Sequence, residues 1–210
     1  RNTSVGPAAL PVKGSGTYVN CMVSGCGAYQ EGGGLYRAAF YDGVISNCTC
    51  IGANNTYGGG ESLGNISNSL IVACYATSNG GGLDSVNSVR DCEIRDCSVK
   101  SYGGGLRSGT AYRTRVLSCR SENASGVSGV YQGTMKGGVI SNCNTSAASD
   151  ADFFDVLFVD NIGSQALWMD VNGKSVTNCT FRGNHIGGEA LVTFGAQFFG
   201  GAINFASCRY

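Results

Sequence analysis

Eleven of the 210 residues are cysteine and only one, His185, is histidine. Thiols offer three chemistries: metal ligation, disulfide formation and, when buried, inert apolar packing. Zinc-type sites need Cys pairs at C-x-x-C spacing with further Cys or His nearby. Cys48-Thr49-Cys50 is too tight for that, and His185 adds no cluster. Neither a metal nor another cofactor is expected. Glycoside hydrolysis needs two carboxylates several ångströms apart across a cleft. Asp91 and Asp96 stand five residues apart, and Asp150, Asp152, Asp155 and Asp160 form the densest acidic group. Their expected place is in solvated turns. Arg107, Arg113 and Arg115 form a small basic group with no acid beside them in sequence. Paired-Asp and Gly-His-Gly motifs of the polygalacturonase type are absent, so no catalytic residue is assigned.

N-x-[ST] sequons, the acceptors of N-linked glycan, occur at Asn2, Asn47, Asn54, Asn65, Asn123, Asn144 and Asn178. Asn54, Asn123 and Asn144 have loop-like surroundings and are the leading glycan candidates. Asn47 and Asn178 fall inside a recurring motif, where a stack of asparagines along a common axis is the expected role.

Fourteen basic and fourteen acidic residues cancel, and charged residues make up 13% of the chain, about half the usual share of roughly 25%. Nucleic acid is therefore not an expected partner, because phosphate binding needs clustered Lys and Arg. A polybasic membrane patch is not expected either. No run of 18 apolar residues exists, so no membrane span is expected. Starting at Arg1, without a signal-like segment, the chain reads as a mature or excised segment.

The elements that must carry these residues are announced by glycine. There are 34 glycines, where an average share of about 7% would give roughly 15. Triplets at Gly32–Gly34, Gly58–Gly60, Gly80–Gly82 and Gly103–Gly105 are spaced by 26, 22 and 23 residues. Ten or eleven residues before each triplet stands a motif of an apolar residue, any residue, Asn or Asp, then Cys or Ser. It reads Tyr18-Val19-Asn20-Cys21, Ile45-Ser46-Asn47-Cys48, Ile66-Ser67-Asn68-Ser69 and Val89-Arg90-Asp91-Cys92, and returns at Ile140–Cys143 and Val176–Cys179. Around it, apolar and polar residues alternate with period two, as in Cys92-Glu93-Ile94-Arg95, which is the signature of a half-buried strand. Short strands, fixed turn signals and a period near 23 predict an all-β chain: a right-handed parallel β-helix, or solenoid, of about eight or nine coils, each of three short strands. Residues 1–13 are expected to be an N-terminal extension and 14–210 a single β-helix domain. The pattern slips at about 146–173, where an irregular coil or loop is expected.

Stacking changes the reading of the thiols. Equivalent residues of successive coils lie about 4.8 Å apart, inside the Cα range that disulfides accept, roughly 4.4–6.8 Å. Cys26 with Cys50, Cys74 with Cys97, and Cys119 with Cys143 become candidate pairs. Some disulfides between coils are expected, with a ladder of buried thiols as the alternative.

Two stretches carry a family resemblance. Phe158-Val159-Asp160-Asn161 and Phe181-Arg182-Gly183-Asn184 follow an F-x-x-N pattern, and Gly200-Gly201-Ala202-Ile203 follows G-G-A-[ILV]. In this the chain resembles the repeats of chlamydial polymorphic outer-membrane proteins, more loosely so at Ile94-Arg95-Asp96-Cys97. The resemblance implies a surface-exposed, passenger-like β-helix with adhesive roles, and no catalytic residue. The expected function is that of an extracellular or cell-surface structural or adhesive protein. Its expected partners are a host or matrix surface, carbohydrate, or further copies joined head to tail, since a β-helix has strand edges at its ends. The alternative is a polysaccharide-active lyase or hydrolase, or a carbohydrate-binding β-helix.

Overall fold

The structure is a computed structural model. It describes residues 4–5, 12–52, 56–169 and 174–187, together with the strands Val192–Thr193, Gln197–Phe198 and Asn204–Ala206.

A five-residue rhythm builds each coil. Phe40, Ile45 and Cys50 point inward in one coil, Ile66, Ile71 and Ala76 in the next, and Val89, Ile94 and Val99 in the one after. Between successive inward residues the chain makes a short strand and then turns at one residue of positive φ. Asn20, Asp42, Asn68, Asp91, Arg113, Asp155 and Asn178 take that conformation at one corner. Asn47, Ala73, Asp96, Ser118, Asn142 and Asp160 take it at the next corner. Asn and Asp tolerate the left-handed region better than other side-chain-bearing residues, which is why they recur there. The motif read as one column is therefore two: Tyr18–Cys21 and Ile66–Ser69 stand at the first corner, and Ile45–Cys48 and Ile140–Cys143 at the second.

A typical coil holds four short strands, not the three expected, as in Glu61–Ser62, Asn65–Ser67, Leu70–Val72 and Tyr75–Ala76. All pair in parallel with the same side of the neighbouring coils. Together they make an all-β parallel solenoid of about seven turns, with no helix among the described residues. That is slightly short of the eight or nine expected, because beyond 12–187 only isolated strands are described. Within the expected N-terminal extension, Ser4–Val5 pairs with Met22–Val23 and Val12–Lys13 with Leu35–Tyr36. Over the stretch expected to be irregular, Asn144–Val159 and Ile162–Trp168 continue the stack. The pattern slips there because this coil is short: Ser141 faces Val159, only 18 residues on.

The interior is a set of like-on-like columns. Val23, Ile45, Ile71, Ile94, Val116 and Ile140 stack in register and give way to Phe158 and Phe181, whose rings are parallel at 4.5 Å. A smaller cluster of Cys50, Ala76 and Val99 fills the fourth side. The glycine triplets line the wall between the two. A Cβ on Gly59 would collide with the carbonyl of Gly81, and one on Gly81 with the carbonyls of Ser98 and Gly104. Gly59→Ala is accordingly expected to lower the melting temperature by roughly 6–12 °C, through about 3 kcal/mol of overpacking against backbone. Gly187→Ala, whose Cβ would meet only the Gly163 carbonyl at 3.9 Å, is expected to leave it unchanged. Thermal unfolding followed by circular dichroism checks both.

Candidate functional site

The first corner and the outward residues of the strand that follows it frame an open groove along the solenoid axis, with a volume of about 750 Å³. Asp42, Asn68, Asp91 and Arg113 are the corner residues of four successive coils, and Val44, Leu70, Glu93 and Arg115 are the outward residues beside them. Each row follows from the repeat: the corner requires positive φ, and strand alternation turns the neighbouring residue outward.

The three arginines that stood alone in sequence each find an acid one coil away. Arg113 makes two bonds to Asp91, Nε to Oδ1 at 2.7 Å and a terminal nitrogen to Oδ2 at 2.6 Å. Arg115 reaches Glu93 at 2.8 Å, and Arg95 approaches Glu93 at 3.2 Å and Asp96 at 2.7 Å. Arg107 meets Asp84 at 3.0 Å on the opposite side of the coil. The Arg113 guanidinium holds the exposed Asp91 carboxyl below its ordinary range. Asp84, by contrast, is buried, and desolvation raises its carboxyl despite Arg107. The partners of Arg113, Arg115 and Arg107 lie 22, 22 and 23 residues away. Reading by sequence neighbourhood missed them, although the glycine period supplies the offset that pairs them.

The acidic group at 150–160 is not gathered into a site. Asp155 and Asp160 occupy different corners, Asp150 a third, and Asp152 bonds to Ser175 and Lys174 on the next coil. Asp91 and Asp96 likewise sit at separate corners.

No disulfide joins the ten described cysteines to one another, which corrects the expectation of bonds between coils. Cys26 faces Cys48, not Cys50, as the Ser24–Ser46 pairing requires, and Cys50 stacks between Ala28 and Ala76 on the fourth side. Cys74 with Cys97 and Cys119 with Cys143 do stack, but as thiols. In-register strands hold successive Cβ atoms near the strand spacing of about 4.8 Å with parallel Cα–Cβ bonds, whereas a disulfide needs roughly 3.5–4.5 Å. Instead each sulfur points back to a carbonyl two residues earlier, as Cys97 does to Arg95 at 3.4 Å. Burial pushes the thiols of Cys26, Cys50 and Cys92 up to about 11 and that of Cys143 to about 12. At these four positions thiolate formation is suppressed at neutral pH. Because reagent cannot reach them, alkylation of the native protein at pH 8 is expected to spare the nine cysteines that are buried among the described residues, and unfolding in guanidinium to expose them. Peptide mapping by mass spectrometry reads the difference.

Of the sequons, Asn2 and Asn54 lie outside the described residues. Asn47, Asn123 and Asn178 are exposed and Asn65 half-buried. The Asn123 side-chain amide oxygen accepts from the Ser125 N–H at 3.1 Å, and the Asn178 side-chain amide donates to Asp155. Asn144 uses both ends of its amide on Ser121, accepting from its N–H at 2.9 Å and donating to its carbonyl at 3.1 Å. Its nitrogen is therefore engaged in holding two coils together.

The structure supports the chain as a parallel β-helix repeat protein; comparison with protein-family models, curated protein sequences and solved structures finds no match that would take the assignment further.

Proposed function

We propose that this chain is a structural and adhesive β-solenoid of the extracellular or cell-surface kind, working as a rigid rod that presents side-chain-lined faces. The observation that carries this reading is the pairing of charge across coils. The carboxylates of Asp84, Asp91 and Glu93 are each matched with an arginine of the following coil, so they are engaged across coils instead of facing one another as an acid–base pair. The resemblance to chlamydial polymorphic outer-membrane protein repeats belongs to the same proposal. Its support is that Phe158 with Phe181, and Asn161 with Asn184, form contiguous inward rungs. The polysaccharide-active alternative is less favoured because the aspartates of its best acidic group stand at separate corners.

Two measurements test the proposal. Negative-stain electron microscopy is expected to show slender rods, or filaments with an axial repeat of roughly 35 Å, from about 4.8 Å per turn. Beads coated with the protein are expected to be retained on matrix-coated surfaces above albumin-coated controls. Retention no better than albumin, with no filaments formed, overturns it.

A further inference from the structure

The groove at the first corner offers side chains and almost no backbone. The N–H groups of its rows are already bonded to neighbouring coils: Asp42 to Ser67 at 3.1 Å, Asn68 to Arg90 at 3.0 Å and Asp91 to Tyr112 at 3.0 Å. An extended peptide would find no free strand edge to add to. A polyanion is disfavoured too. The groove is lined by three carboxylates and two guanidinium groups, and both arginines are paired, whereas phosphate or sulfate chains need unpaired basic residues.

What the groove does offer is a line of planar polar groups at the strand pitch. Carboxylate, amide, carboxylate and guanidinium follow one another at Asp42, Asn68, Asp91 and Arg113. Acceptor and donor thus change along the row, with the charge locally neutralised where Arg113 clasps Asp91. Beside this row, Val44 and Leu70 supply an apolar strip. Three spacings of about 4.8 Å make the row roughly 14 Å long. The face is open along its length and not enclosed, so a ligand would lie extended along it. A chain of uncharged sugars has the complementary chemistry: hydroxyl groups that both donate and accept, C–H faces for the apolar strip, and no net charge to oppose three acids.

We propose that this groove binds a neutral linear glycan along the solenoid axis. The inference rests on the adhesive reading and supplies that reading with a ligand class. Isothermal titration with maltohexaose, cellohexaose, laminarihexaose and chitohexaose, and with polygalacturonate as an anionic comparator, tests it. At least one neutral hexasaccharide is expected to bind. The double variant Asp91→Ala/Arg113→Ala, which removes both ends of an exposed pair and should leave the melting temperature within a few degrees, is expected to weaken that binding at least tenfold. Asn68→Ala should weaken it several-fold. The proposal is overturned if none of the four hexasaccharides binds, if binding survives the double variant unchanged, or if polygalacturonate binds more tightly than all of them. Retention of coated beads on a matrix surface separates the two readings. Undiminished retention of the double variant together with absent glycan binding removes the groove proposal and leaves the adhesive one. Loss of bead retention by the unaltered protein removes the adhesive reading itself.

Discussion

Glu61→Leu is expected to stabilise the protein at neutral pH by about 2–4 kcal/mol, the scale on which replacing uncompensated buried polar or charged groups by apolar ones acts. For a chain of this size that is a rise in melting temperature of roughly 5–15 °C. Glu61 occupies an inward column that also holds Leu35, Leu83, Leu106, Val130, Ala148 and Leu167. It is 0% exposed, and neither carboxyl oxygen has a hydrogen-bond partner of normal geometry. Its head occupies the space left by the absent side chain of Gly64. Burial pushes the carboxyl well above the ordinary carboxylate range, and the nearby Ala38 backbone offsets only part of that. The pH dependence follows from the sign. The unfolded group ionises near 4.5, while the folded group holds its proton to higher pH. The unfolded state therefore releases a proton first, and stability falls as pH rises from about 4.5 toward the folded value. Urea unfolding of the parent and of Glu61→Leu between pH 4 and pH 8 should show the smallest gap at the acid end and the largest at the alkaline end. A gap of constant size, or a less stable variant at pH 7, would contradict this account.

Asn161→Ala carries the largest expected loss, about 3–5 kcal/mol, from stranding several buried polar groups at about 1–3 kcal/mol each. Asn161 is buried. Its amide donates to the Ile140 carbonyl at 3.0 Å and to Asn184 at 2.8 Å, and its carbonyl accepts from the Cys143 N–H at 3.0 Å. Asn184 repeats the arrangement one coil on, donating to the Phe158 carbonyl at 3.0 Å. The same column is occupied earlier by Cys48, Cys74, Cys97 and Cys119. Each of these thiols faces the equivalent carbonyl of the preceding coil, from Val23, Ile45, Ile71 and Ile94, at 3.9 Å. The N–H of the preceding rung is likewise directed at the sulfur, as from Cys119 to Cys143. Cysteine is thus a weaker surrogate for the asparagine amide at one and the same corner. Asn161→Cys should for that reason cost clearly less than Asn161→Ala, although the side chain is similarly shortened. Chemical denaturation of the two variants side by side measures the difference. Equal losses would mean that the thiol does not stand in for the amide.

These residues also mark how far the sequence could be read. The glycine triplets and the period-two strands disclosed a parallel solenoid, because each coil repeats the same local demands at nearly constant length. The two corners were merged into one motif, since both demand positive φ from one residue and Asn or Asp answers both. The stretch after Asn144 looked irregular because its coil is shorter, which shifts the pattern without breaking the ladder. The pairing of Arg113 with Asp91 and Arg115 with Glu93 was hidden by a separation of 22 residues, and with it the groove.

The sequence by itself determined the all-β repeat, its period and the Asn/Asp turn positions, all of which depend on alternation and backbone preference within a few residues. Only the tertiary structure decided which residues stack. That decision set Cys26 on Cys48 instead of Cys50, left the thiols unbonded, put Glu61 in a leucine column and drew acids and arginines of successive coils together. The reason is that register is cumulative. A coil lengthened or shortened by a few residues leaves every local pattern intact but changes which side chains meet across the strand spacing.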